Sequence, residues 1–95
     1  MVPVHPGRIL RREMAARDLS ANRLAIALRL PSGRVTDILN GKRGISPDSA
    51  LRLARFFGNS PRFWLNLQVA FELATAEREI GARIAAEVQP LDDAA

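Results

Sequence analysis

Apolar residues return every three or four positions along most of the chain, and short breaks of proline, glycine or small polar residues interrupt them. That rhythm predicts five helices and no strand. The first is expected over about Gly7 to Ala16, with Ile9, Leu10 and Met14 at helical spacing, Pro6 as its start signal and Arg17-Asp18-Leu19 as its end. Ser20 is a good N-cap for a second helix from Ala21 to Leu28, whose inner face is Leu24, Ala25 and Leu28. The turn Leu30-Pro31-Ser32-Gly33 leads into a third helix that starts near Pro31. Val35, Ile38 and Leu39 face it inward, and Asn40-Gly41 stops it, glycine supplying a left-handed residue. Ser46-Pro47-Asp48 opens the fourth helix, with Leu51, Ala54 and Phe57 as its apolar face, and Gly58 closes it. Ser60-Pro61 repeats that start signal for a fifth helix running to about Val88, on the order of 40 Å long. Phe63, Trp64, Leu67 and Phe71 share one wide face of its first half, as core. Its second half carries Leu73, Ile80, Ile84 and Val88 among Glu77, Arg78, Glu79 and Arg83, with Gly81 weakening it and Pro90 ending it.

Composition narrows the class. The 95 residues make one domain, 47% hydrophobic and so globular, rich in Ala, Leu and Arg and poor in β-branched and aromatic residues. There is no cysteine, hence no disulfide framework and no thiolate zinc site. No apolar run is long enough to span a membrane, and the N-terminus has no apolar signal core, so a cytoplasmic protein is expected. Charge is divided unevenly. Residues 1–44 hold nine Lys/Arg against three Asp/Glu, a balance of +6, and residues 45–95 hold five against seven, a balance of −2. The first half is therefore the candidate surface for a polyanion.

Two short helices joined by a tight turn over residues 20–39 have the proportions of a helix-turn-helix. In that motif the first helix crosses the phosphate backbone and the second puts its N-terminal residues into the major groove. With Val35, Ile38 and Leu39 turned inward, Ser32, Gly33, Arg34, Thr36 and Asp37 are left on or near the outer face. Arg34 can present a planar fork to the two acceptors of a guanine edge, and Ser32 and Thr36 can donate to a base or a phosphate. Gly33 either allows close approach of the backbone or is simply a tolerated first-turn glycine. The loop Asn40-Gly41-Lys42-Arg43-Gly44 follows at once, its two cations well placed to neutralise phosphates.

The segment Leu24-Ala25, Leu30-Pro31-Ser32-Gly33-Arg34-Val35 and Ile38-Leu39-Asn40-Gly41-Lys42-Arg43-Gly44-Ile45-Ser46 resembles the XRE/Cro-type helix-turn-helix. More narrowly, the opening His5-Pro6-Gly7, the stretch Ala50-Leu51-Arg52-Leu53-Ala54 before Phe57-Gly58, and Phe63-Trp64-Leu65-Asn66-Leu67-Gln68 are similar to HigA-type antitoxins of bacterial addiction modules. The likeness covers about residues 5–75. Arg8 stands where that family often has an acid. Ala21 stands where XRE domains often have a phosphate-touching glutamine, leaving Asn22 and Arg23 as the nearest substitutes. The resemblance implies an all-α, five-helix, lambda-repressor-like domain with a long C-terminal helix. It divides the chain into an N-terminal extension (1–6), the helix-turn-helix domain (7–72), a continuation of the last helix (73–89) and a tail (90–95). It implies a protein that binds double-stranded operator DNA, neutralises a HigB-type ribonuclease toxin and represses its own operon, in the cytoplasm and on the nucleoid when bound. A stand-alone XRE-type repressor without a toxin is the alternative, and a protein-binding module that has lost DNA contact is a third.

A single helix-turn-helix reads few base pairs, so a homodimer is expected, with Leu73, Ile80, Ile84 and Val88 as its contact unless they pack on the monomer's own core. Val2, Pro3, Val4 and Pro6 form a stiff apolar strip with no obvious place in the core, either a disordered start or a segment that orders on a partner. His5, the only histidine, has no cluster around it and reads as a helix-start or surface residue rather than a metal ligand. Glu72, Glu77, Glu79 and Glu87 read as a solvated face paired with Arg78 and Arg83. No Ser/His/Asp set or phosphate-cradling glycine loop is present, so neither enzyme activity nor a cofactor is expected.

Overall fold

The computed structural model describes residues 2–92, so the outer part of the tail (93–95) and Met1 lie outside the described residues. Five α-helices form: α1 Pro6–Ala16, α2 Ala21–Leu28, α3 Ser32–Leu39, α4 Pro47–Phe57 and α5 Pro61–Glu87. The sequence signals act as read. Ser20, Ser46 and Ser60 each accept the N–H of the third residue on, and α1, α4 and α5 have proline in the first turn, where no N–H is needed. α1 begins one residue earlier than expected because Pro6 is itself helical, capped by the His5 ring, whose Nδ1 accepts the Gly7 N–H at 2.9 Å.

Helix ends are set by left-handed residues. Asp18 (φ 53°), Arg29 (φ 58°) and Gly41 (φ 76°) each let the chain fold back on the helix it leaves. After α1 the Leu19 N–H bonds the Met14 carbonyl, after α2 Leu30 bonds Ala25, and after α3 Lys42 bonds Asp37. These are Schellman-type closures, which satisfy carbonyls that a helix end would otherwise leave bare. The turn between α2 and α3 thus pivots on Arg29, just ahead of the Leu30-Pro31 pair.

All five helices contribute to one core, built from Leu10, Met14, Leu24, Ala25, Leu28, Val35, Ile38, Ile45, Ala50, Leu53, Ala54 and Trp64, with Leu39 and Leu67 partly buried against it. Trp64 is fully enclosed and its indole N–H reaches Asn59 Oδ1 at 2.9 Å. Three expectations are corrected. The inner face of α4 is Ser49, Ala50, Leu53 and Ala54, whereas Leu51 is 61% exposed. Small side chains let α4 approach its neighbours closely, and that turns the face by about one residue from the one its larger apolar side chains suggest. Phe63 is 41% exposed, lying edge-on to Trp64 at 5.1 Å, because Trp64, Leu67, Gln68 and Phe71 form the inward face of α5. The described part of the N-terminal strip, finally, has a place on its own chain at Pro6, although Val2 and Val4 stay exposed. Pro6 is buried, His5 meets Phe71 edge-on at 4.9 Å, and Val2, Pro3 and Val4 line a cleft of about 490 Å³ with α1 and α5.

The first half of α5 lies on α4 and α1. Its second half runs on past the core as a rod, which stretches the molecule to 58 × 23 × 22 Å. Along that rod Leu73, Ile84 and Val88 are exposed and Ile80 is half-buried. They are not absorbed by the monomer's own core. Arg83 and Glu87 form the expected i,i+4 pair at 3.4 Å.

Candidate nucleic-acid interface

α2 and α3 pack on each other across the Arg29 pivot, and three contacts from other helices hold that pair in place. Arg52 of α4 donates through NH1 to the Leu28 carbonyl at 2.9 Å, closing the C-terminus of α2, and through Nε to Asp48 at 2.8 Å. Arg11 of α1 donates to the Leu39 carbonyl at the end of α3 at 3.3 Å. Gly7 allows α1 to lie directly on α3, since a Cβ there would fall on the Ile38 carbonyl oxygen. α2 is therefore held at its C-terminus, just before the turn, and α3 at its exit.

The expected site residues fall on this pair and the loop after it. Asn22 and Arg23 are exposed in the first turn of α2. Ser32 and Gly33 are exposed at the N-terminus of α3, which has no side-chain cap, and the space around Gly33 is open. Two first-turn N–H groups and the positive end of the helix dipole are thus free to meet an anion or a base edge. Arg34 is half-exposed, and its charge helps hold the Asp48 carboxyl below its usual range, behind the larger effect of the Arg52 hydrogen bond. Thr36 is exposed, but its hydroxyl donates to the Ser32 carbonyl at 3.0 Å, so it is left as an acceptor beside a methyl group. Asp37 acts through its backbone, its carbonyl receiving the N–H groups of both Lys42 (2.8 Å) and Arg43 (3.2 Å). That double bond folds the loop back onto the end of α3 and leaves both cationic side chains exposed.

Two residues matter here beyond those singled out from the sequence. His5, read as a helix-start or surface residue, also lies beside Gly41, and burial holds its imidazole below the ordinary value. Gln68 accepts the Ile45 N–H at 2.7 Å. A polar residue four positions after Trp64, on the face of α5 that meets the core, was the signal for it, because a polar group there needs a partner.

An uncapped, outward-facing helix N-terminus with an arginine in its first turn, backed by a basic loop and locked against a second helix, is the apparatus of a helix-turn-helix DNA-binding protein. The comparisons agree and go further. Residues 7–65 match the helix-turn-helix domain family. Virulence-associated protein I of Dichelobacter nodosus is 45% identical over 80 residues, covering 83% of this chain and 74% of the relative. An addiction module antidote protein of the HigA family from Coxiella burnetii superposes with a TM-score of 0.94 at 52% identity, over 96% of this chain and all of the other. The Pseudomonas aeruginosa antitoxin HigA, solved with the higBA promoter, superposes with a TM-score of 0.91 at 47% identity, over 94% of this chain and 98% of the other. The chain belongs to the helix-turn-helix family and, within it, to the HigA family of antitoxins. That family is one of DNA-binding proteins and not an enzyme class. Among the described residues no helix is long and apolar enough to cross a membrane.

Proposed function

We propose that this protein is an antitoxin that binds the operator of its own toxin–antitoxin operon, represses it and neutralises a HigB-type ribonuclease toxin. The observation that carries the reading is the match over essentially the whole length of the HigA-family antidote, which includes the long last helix as well as the DNA-reading part. The promoter complex of the P. aeruginosa relative supports the operator half of it.

In this reading α3 enters the major groove. Arg34 reads a guanine, Ser32 and Thr36 reach base edges or phosphates, Gly33 lets the backbone approach and Asp37 borders the contact. Asn22 and Arg23 at the start of α2, with Lys42 and Arg43 beyond α3, neutralise phosphates. Residues 7–72 do the reading and 73–89 pair two chains into a homodimer through Leu73, Ile80, Ile84 and Val88, so that two half-sites are read about one helical turn apart. Such a protein works in the cytoplasm, on the nucleoid when bound.

The experiment is co-expression with the adjacent gene. The expected result is a stable complex, relief of growth arrest and repression of the shared promoter. If the neighbour neither co-purifies nor is rescued, while the operator is still bound, the stand-alone repressor becomes the better account.

A further inference from the structure

The loop that carries Lys42 and Arg43 is gripped from two sides by residues far away in sequence. On one side, Gln68 of α5 accepts the Ile45 N–H at 2.7 Å, and Ile45 itself is buried in the core. Gln68 lies so close to Gly44 that a Cβ there would stand 2.6 Å from its amide nitrogen. On the other side, the His5 ring lies 4.0 Å from where a Cβ on Gly41 would be, while its Nδ1 caps α1. The loop's start is fixed by the end of α3, whose Thr36, Ile38 and Asp37 carbonyls accept the N–H groups of Asn40, Gly41, Lys42 and Arg43.

We infer that Gln68 is a positioning residue for DNA binding, clamping the 40–45 loop so that Lys42 and Arg43 are presented to phosphates in a fixed relation to α3. The inference rests on the reading of those two cations as phosphate contacts. The physical ground is pre-organisation. A glycine-flanked loop with two long cations loses much freedom when it must match phosphates at fixed spacing, and a loop already held loses less on binding. The clamp also explains why residue 44 is glycine, since any side chain there would push the Gln68 amide off the Ile45 N–H.

The test compares operator binding across salt concentrations for Gln68→Met, which keeps the length of the side chain and loses the acceptor, with Gly44→Ala, which displaces the amide, and with the double variant. Lys42→Ala and Arg43→Ala serve as references, each expected to flatten the slope of log affinity against log salt by about one unit. Gln68→Met and Gly44→Ala are each expected to weaken binding several-fold at every salt concentration with the slope kept, because the cations still reach phosphates once bound, to leave the ranking of operator sequences unchanged, and to be no worse together than singly. In the free protein the Ile45 amide exchanges faster in both. A folded Gln68→Met protein with the parent affinity overturns the clamp, as do additive effects in the double variant. Should Gln68→Met fail to fold, Gly44→Ala decides alone by the same two readouts. If the Lys42 and Arg43 references leave the slope unchanged, the phosphate reading fails and the clamp falls with it; if they flatten it and Gln68→Met keeps the parent affinity, only the clamp fails.

Discussion

Arg34 and His5 carry the sharpest consequences at the residue scale. Arg34→Ala is expected to cost about 1–3 kcal/mol in operator affinity and to relax preference at a single base pair. A folded Arg34→Ala protein with unchanged affinity for every operator variant removes its assigned role. His5 gives a pH dependence. Its burial lowers the folded value below the unfolded one, so between the two the unfolded chain binds more protons. Its contribution to stability is therefore complete above about pH 6.5 and is lost as pH falls through the lower folded value. Denaturant midpoints from about pH 7.5 to 5 should show this loss, and His5→Asn, which keeps a capping oxygen but cannot titrate, should flatten it. No other histidine is present to confuse the assignment. The exposed residues of the candidate interface could be picked out of the sequence because residue type and helical phase suffice for a surface. Arg52 could not, because its meaning lies in a main-chain group 24 residues away, and Gln68 was marked only as an inward polar residue in need of a partner, which lies 23 residues away.

Among the elements, α4 distinguishes what periodicity can and cannot tell. All five helices were legible, since serine caps, first-turn prolines and glycine stops are local signals. The orientation of α4 was not. Leu51 and Leu53 are equally apolar, and the choice between them was made by Ala50 and Ala54, whose small size matters only when a neighbouring helix is in place. The energetic test is direct. Leu53→Ala should cost about 2–5 kcal/mol by loss of buried contacts and the cavity left behind. Leu51→Ala should fall within about 0.5 kcal/mol of the parent. Urea unfolding of the two variants side by side checks the pair, and equal losses would contradict the orientation of α4. The pivot between α2 and α3 was missed for a different reason: a left-handed arginine leaves no mark in composition, whereas Gly41 and Gly58 announce theirs.

For the whole molecule, the question is what the rod of α5 is for. Its exposed Leu73, Ile84 and Val88 form an apolar stripe that the core leaves uncovered. Ile84→Glu, which puts a charge in the proposed two-fold contact, is expected to give a folded monomer by sedimentation, with operator binding weakened because half-sites are no longer read in pairs. Retention of the dimer would move the contact elsewhere. The same rod bears on how long the protein lasts. Past Ile80 the helix has only its own backbone bonds and the exposed Arg83–Glu87 pair, with Gly81 at the junction, and an unsupported helix of so few turns is marginal in water. If the rod pairs as proposed, a dilute monomer offers Arg78 and Arg83 to proteolysis through frequent local opening and the pair protects them. Trypsin cleavage at those two arginines should accordingly slow as the protein is concentrated. The chain's survival, and so the level of repression, then depends on its own abundance: scarce antitoxin is the antitoxin most readily destroyed.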